Sequence, residues 1–208
     1  MRLARTLRAT LAHVLLAAYR TRSTGAQNVP PGGAILAGNH ASYLDPILLW
    51  CNAPRPVHFM AKVELWNSRV IGGALDRLWA FPVHRGAPDR AAVTTATELL
   101  SSGKLVGIFP EGTRHRTEGP DLLGTANAGA AFLAMRAGVP VVPVGIHGTA
   151  EALPRGARMP RFPRVAIRYG QPVYPEEFAE GGRKERVEAM TTEIMRRIAL
   201  AMQQAREA

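Results

Sequence analysis

Short apolar runs alternate with helical patterns along most of this chain. Ala34–Ala37, Val57–Met60, Ala80–Val83, Leu105–Phe109 and Val139–Ile146 are nearly unbroken apolar stretches, as strands covered on both faces require. Between them, Pro46–Cys51, Asp89–Ser102 and Thr125–Ala137 repeat their apolar positions at helical spacing. Gly103 and Gly138 follow the last two, where a helix end favours glycine. Val165–Val173 reads as a late strand, with Val165, Ile167 and Tyr169 alternating against Arg164, Ala166 and Arg168. Arg183–Gln203 reads as a last helix of mixed charge with one exposed face. This order predicts an α/β fold, with a mostly parallel central sheet covered by helices. No repeat, linker or low-complexity tract divides the 208 residues, so 1–208 is expected to be a single domain.

An amphipathic helix is expected ahead of the sheet, over residues 1–22. Leu3, Leu7, Leu11, Val14 and Ala18 fall on one face, while Arg2, Arg5, His13 and Arg20 fall away from it. Two destinations stay open for it. One is packing on the core; the other is the membrane interface, apolar side down and arginines toward headgroups, which the absence of acids fits. No stretch reaches about twenty uninterrupted apolar residues, so no bilayer-spanning helix is expected. Arg136, Pro140 and Pro143 interrupt the nearest approach, residues 128–149. The uncharged run Ala9–Tyr19 is too short, and too poorly followed, for a cleavable signal.

Charge narrows the partners. Lys and Arg number 26 against 16 Asp and Glu, a net charge of +10. Residues 1–22 hold five arginines and no acid, and Arg155, Arg158, Arg161, Arg164 and Arg168 follow one another without an acid between Leu153 and Pro175. Such patches seek phosphate on anionic lipid or on nucleic acid. Only 6% of residues are Phe, Trp or Tyr, and the basic stretches lack interleaved aromatics, so no nucleic-acid partner is expected. Cys51 is the only cysteine, which excludes an internal disulfide and permits a reducing compartment. It lies beside Trp50 in an apolar helix, where burial as a small hydrophobe is expected.

The chemistry gathers after the first apolar run, at Asn39-His40-Ala41-Ser42-Tyr43-Leu44-Asp45. His40 in a loop at a strand end and Asp45 at the start of the next helix would meet, with Asp45 as N-cap and Pro46 first in the helix. A carboxylate accepting from one imidazole nitrogen fixes the tautomer and leaves the other nitrogen as a base. Alone, such a pair also serves to brace a loop. Asn39 is expected to bond loop backbone. His84 and His147 stand near strand ends without a carboxylate at useful spacing and are read as structural.

Three further blocks follow in order: Phe81-Pro82-Val83-His84-Arg85-Gly86, Phe109-Pro110-Glu111-Gly112-Thr113-Arg114 and Val139-Pro140-Val141-Val142-Pro143-Val144. With the NHxxxxD segment they resemble the glycerolipid acyltransferases, the family of 1-acylglycerol-3-phosphate (lysophosphatidate) acyltransferases. The resemblance runs from about Gly25 to about Tyr174, leaving 175–208 as a C-terminal helical segment. It implies acyl transfer from an acyl thioester, of coenzyme A or of acyl carrier protein, to 1-acyl-sn-glycerol 3-phosphate, giving phosphatidate. It also implies a peripheral enzyme on the cytoplasmic face of the membrane, with membrane lipids as partners.

Esterification needs a base for the hydroxyl proton, stabilisation of an oxyanion and a proton for the leaving thiolate; neutral imidazole supplies the first and, once protonated, the third. His40 is therefore expected to be the base and Asp45 its orienter. No cofactor is needed beyond the thioester co-substrate, and no covalent acyl-enzyme. Arg85 and Arg114 each follow an apolar strand, where guanidinium groups grip a phosphomonoester. By resemblance both match acceptor-phosphate positions, with Glu111, Gly112 and Thr113 completing the acceptor pocket. Gly112 permits close backbone approach and Thr113 can donate to phosphate, whereas Glu111 suits the glycerol hydroxyl or anchors an arginine. The fourth block reads equally as a buried strand. Many family members carry a lysine where this chain has Asn127, which opens a second reading with another lysophospholipid or a glycolipid precursor as acceptor. His115-Arg116 bears on the same question. Against a hydrolase, no G-x-S-x-G elbow exists, and neither Ser42 nor Cys51 has a nucleophile's context. A metal site lacks ligands at plausible spacing. A basic lipid- or nucleic-acid-binding protein without catalysis is the remaining alternative.

Overall fold

The computed structural model describes residues 10, 12–84, 89–112, 126–152, 159 and 161–208. In chain order the elements are helix α1 (residues 12–18), β1 (Arg22–Thr24), β2 (Ala34–Gly38), α2 (Leu44–Asn52), β3 (Val57–Lys62), α3 (Arg69–Arg77), β4 (Phe81–Val83) and α4 (Arg90–Ser101). There follow β5 (Leu105–Ile108), α5 (Gly129–Ala137), β6 (Val141–His147), α6 (Thr149–Ala152), β7 (Ala166–Tyr169) and α7 (Arg183–Arg206). The strands form one sheet in the order β1-β7-β6-β2-β5-β3-β4. Every pairing is parallel except β6 with β7. This is the expected single α/β domain with a mostly parallel sheet.

Alternation along the strands divides the core between two faces. Ala34 and Leu36 of β2, with Val142, Val144 and Ile146 of β6, pack under α1 and α2. Ile35 and Ala37, with Val106 and Val141, pack under α4, α5 and α7. Both faces are covered, so the strands read as continuous apolar runs. Close approach is written into β6: a Cβ on Gly145 would lie 2.2 Å from the Ala201 carbonyl carbon, so glycine lets the α7 backbone ride directly on the strand. Along α7, Met190, Ile194 and Ile198 bury one stripe at helical spacing.

Several boundaries differ from expectation. The helix expected from Pro46 begins at Leu44, so Asp45 is its second residue and not its N-cap. Pro46 still falls in the first turn, where a missing N–H costs no intrahelical bond. The helix expected from Thr125 is seen from Gly129; Thr125 lies outside the described residues. Strand β1 has no counterpart among the expected elements, because Arg22–Thr24 is exposed and polar throughout and leaves no apolar pattern. Helix α3 is hidden by its Gly72-Gly73 pair. Gly72 is needed there, since a Cβ would press to 3.1 Å from the Trp66 ring.

The N-terminal helix also packs differently. Ala12, Leu15 and Leu16 lie on the core with buried Tyr19, while Val14 is 62% exposed and Ala18 is exposed. The row expected to be the apolar face thus points outward, where described, and a second apolar row faces the core. Leu3, Leu7 and Leu11 lie outside the described side chains.

Candidate active site

Parallel strands deliver their following loops to one edge of the sheet, the usual place for ligands in such folds. The loop after β2 carries His40, the loop after β5 carries Glu111 and Gly112, and β4 leads to His84. Arg85, Thr113 and Arg114 lie outside the described residues.

His40 Nδ1 lies 2.9 Å from Asp45 Oδ2. The Asp45 side chain is fully buried and that of His40 is 15% exposed. Oδ2 also accepts the Ala41 and Ser42 N–H groups, each at 2.7 Å. Three donors therefore converge on one carboxylate oxygen, while Oδ1 is buried and accepts no hydrogen bond. The early turn of α2 favours negative charge here. With the carboxylate on Nδ1, the proton resides there and Nε2 is the basic nitrogen.

Three contacts from other strands hold the loop. Asn39 is buried; its Nδ2 donates to Ile146 O at 2.9 Å and its Oδ1 accepts from Ile146 N at 2.7 Å. The side chain thus continues the β2–β6 ladder past its last backbone pair, Gly38 with Val144. The His40 N–H donates to Glu111 Oε1 at 2.9 Å, joining the two loops through a carboxylate that is 5% exposed. Phe109 stacks on the imidazole, centroids 4.4 Å apart at 20°, and Phe59 stacks on Phe109 at 5.8 Å. The Phe59 ring fits because β5 has Gly107 there, where a Cβ would fall 2.2 Å from it.

On the acceptor side, Gly112 has φ 66°, a left-handed conformation natural to glycine. Its missing Cβ leaves room for the Asn127 amide, which a Cβ would approach to 2.8 Å. Asn127 binds Pro110 O through both its backbone N–H, at 2.8 Å, and its Nδ2, at 3.1 Å. The residue that in sequence is only a missing lysine therefore clamps the Glu111 loop. Sequence reasoning also gives no role to Phe109, although it heads the quoted block, and places Asn39 on loop backbone where the structure puts it on β6. The His84 N–H donates to Asp89, the N-cap of α4, and His58 meets the Trp79 ring. Among the described residues no three His, Cys, Asp or Glu side chains gather to hold a metal ion, and no helix is long and apolar enough to cross a membrane.

The comparisons with known proteins agree on one family. A family model described as Acyltransferase matches residues 20–147. The chain is 33% identical over 174 residues to a 1-acyl-sn-glycerol-3-phosphate acyltransferase of Bacillus subtilis (strain 168), covering 83% of each chain. It is 32% identical over 143 residues to the chloroplastic 1-acyl-sn-glycerol-3-phosphate acyltransferase BAT2 of Brassica napus, covering 67% of this chain and 40% of that one. Its fold is like that of the 1-acyl-sn-glycerophosphate (LPA) acyltransferase PlsC from Thermotoga maritima, with a TM-score of 0.69 at 23% identity, over 95% of this chain and 80% of that one.

Proposed function

Since the chain belongs to the acyltransferase family, we propose that it moves a fatty acyl group from an acyl thioester to the free hydroxyl of 1-acyl-sn-glycerol 3-phosphate, giving phosphatidate. Coenzyme A or acyl carrier protein carries the acyl group as co-substrate. The observation that carries this reading is the His40–Asp45 contact at the catalytic edge of the sheet. His40 Nε2 takes the hydroxyl proton as the hydroxyl oxygen attacks the thioester carbonyl carbon. The new C–O bond forms, the C–S bond breaks, and imidazolium returns its proton to the departing thiolate. Asp45 stabilises the imidazolium and holds the ring, with Phe109 flat against it.

Arg85 and Arg114 bind the acceptor phosphate in this scheme, and Glu111, Gly112 and Thr113 shape the acceptor pocket. Glu111 joins recognition to catalysis, because the carboxylate that meets the acceptor also holds the His40 backbone. The enzyme works as a peripheral protein on the cytoplasmic face of the membrane, and residues 1–22 lie along the surface. A second acceptor, another lysophospholipid or a glycolipid precursor, is favoured by one observation: the amide of Asn127 is engaged by Pro110 and brings no cation to the pocket.

Purified protein incubated with acyl-CoA or acyl carrier protein thioester, and with a panel of lysolipids, tests both readings. Thiol release should depend on lysophosphatidate, and His40→Ala should lower turnover at least about a hundredfold while the protein folds. Thiol release without any acceptor would instead make this a thioesterase. Preference for another lysolipid would select the second reading.

A further inference from the structure

The edge of the sheet opposite the catalytic loops carries a hollow that the proposed reaction does not use. β6 runs parallel to β2 and starts at that edge, where α5 ends and where, past the Val141–Val173 bridge, α7 begins. Between the two helices lies a cavity of about 340 Å³. Phe132, Met135 and Arg136 of α5 line it, with Arg183, Arg186 and Val187 of α7. Its size falls within the range of small-molecule sites. Phe132, Met135 and Val187 are half-buried against the core and supply its apolar floor. The Arg183 guanidinium lies over the Phe132 ring, 5.4 Å from its centre.

One solvated arginine on a helix is ordinary; three around one hollow without a counter-charge are not. Three other cations of α7 find carboxylates: Lys184 meets Glu188, and Arg196 and Arg197 meet Glu193. Arg136, Arg183 and Arg186 form no ion pair among the described residues. Glu185, the acid in the first turn of α7, accepts the Gly182 N–H instead. Glu176, Glu177 and Glu180 line a separate hollow that shares only Arg186 with this one, and Arg186 turns its Nε to Phe178 O at 2.6 Å. Position adds to the cost. Arg183 and Arg186 stand among the first four residues of a 24-residue helix, the end at which the backbone dipole favours anions and opposes cations. Local rules are broken in this way chiefly where a protein has something to bind.

We propose that this hollow is a second anion site, which takes the di- or triphosphate group of a small molecule. Guanidinium groups grip phosphate oxygens through paired N–H donors. Three of them, drawn from two helices, match a chain of phosphates better than a single tetrahedral anion. The apolar floor gives the body of a nucleotide a place to lie, whereas free pyrophosphate would use the arginines alone. An anion held there ties the last turn of α5 to the first turn of α7. α5 begins at Gly129, just past Asn127, so the hollow sits on the helix that follows the acceptor-side clamp. The site does not depend on the acyl-transfer reading.

The test is titration calorimetry of the full chain with ADP, pyrophosphate and orthophosphate, without thioester or lysolipid, and with thermal unfolding alongside. ADP and pyrophosphate should bind at least about tenfold more tightly than orthophosphate and should raise the unfolding midpoint. Arg136→Ala and Arg183→Ala should each weaken both at least about tenfold. Arg186 is left in place because its Nε holds Phe178 O. Lys184→Ala removes a paired cation from the same turn and should leave both affinities unchanged. So should Arg85→Ala with Arg114→Ala, which separates this site from the acceptor pocket. Tighter binding of ADP than of pyrophosphate assigns the floor to a nucleoside, and the reverse assigns the site to an inorganic anion; either supports the proposal. Absence of binding at about 1 mM overturns it. So does binding of any strength that Arg136→Ala and Arg183→Ala leave unmoved, which would be attraction to net positive charge or to another pocket. Loss in the Arg85 and Arg114 variant would place the anion on the acceptor side and overturn it too. Binding is read without turnover, so a failed acyltransferase assay leaves this outcome legible.

Discussion

Replacing Asp45 by asparagine isolates the charge of the pair from its geometry. Three donors, His40 Nδ1–H and the Ala41 and Ser42 N–H groups, converge on Oδ2, so the amide must put its oxygen there and its NH2 where Oδ1 now lies. The imidazole then keeps its tautomer and place, unlike the serine-protease triad, where the same change costs about four orders by giving the wrong tautomer. What is lost is attraction for imidazolium. At an effective dielectric of about 20 and about 4 Å between charge centres, that attraction is about 4 kcal/mol. The transition state carries part of the full charge, so turnover should fall by two to three orders of magnitude, at about 1.4 kcal/mol per order. The NH2 sits buried at a position that has no hydrogen-bond partner, which costs about 1–3 kcal/mol of stability before the relief from burying a charge is counted. Steady-state turnover against lysophosphatidate, with thermal unfolding alongside, reads both quantities. A variant that keeps more than about a tenth of its turnover would show that the proton is removed without Asp45, and the base assignment would fall with it.

Arg85→Ala and Arg114→Ala should each raise the acceptor KM while leaving the thioester KM near its original value; an unchanged acceptor KM in both would remove the phosphate from that side. Asn39→Ala strands both backbone groups of Ile146 and should cost about 2–5 kcal/mol in urea unfolding, together with loss of activity. A loss below about 1 kcal/mol would show that the β2–β6 junction is held by something else. Glu193 is held at about 2 by hydrogen bonds from Arg196 and then Arg197, against an ordinary value near 4.5. Its folded value is depressed, so its contribution is present above the unfolded value and is lost as pH falls from about 4.5 toward 2. Unfolding curves of wild type and Glu193→Gln should therefore differ at neutral pH and converge over that window, and a constant gap down to pH 2 would contradict the ion pair.

The parts of the fold that are legible in the sequence are those in which burial dictates residue type. β2, β5 and β6 are covered on both faces, and each announces itself as an apolar run within two residues of its true bounds. The faces of the late strand are legible, since Val165, Ile167 and Tyr169 are all buried. β7 itself spans only Ala166–Tyr169 and stops short of the expected Val173, which makes an isolated bridge to Val141. What stays hidden lacks that pressure. β1 is an exposed edge strand of three polar residues, held by pairing with β7. α3 keeps one face in solvent, and its Gly72 answers to Trp66, a contact no local pattern could show. The N-terminal helix misleads because both of its rows are apolar, and periodicity cannot say which row meets the core.

The site divides along the same line. His40 and Asp45 are close in sequence, so one loop and one helical turn suffice to join them, and their meeting follows from local geometry. The Ala41 and Ser42 N–H groups fix Asp45 locally, and the other contacts that hold the pair arrive from far along the chain. Ile146 receives Asn39 across 107 positions, and Glu111 holds the His40 backbone across 71. Such partners exist only once β2 lies between β5 and β6, so their roles are properties of the strand order. Asn127 carries the point furthest. Its residue type registers as a lost cation, whereas its amide works on Pro110, and beneath it Gly112 has given up a side chain to admit it. A lysine at that position would keep the backbone N–H bond to Pro110 O but would replace the short amide's bond with a longer, flexible stem. Asn127 therefore serves a fixed loop rather than a charge, and a strong preference of the enzyme for a neutral or zwitterionic lysolipid over lysophosphatidate would show that the pocket's positive field is the weaker for it.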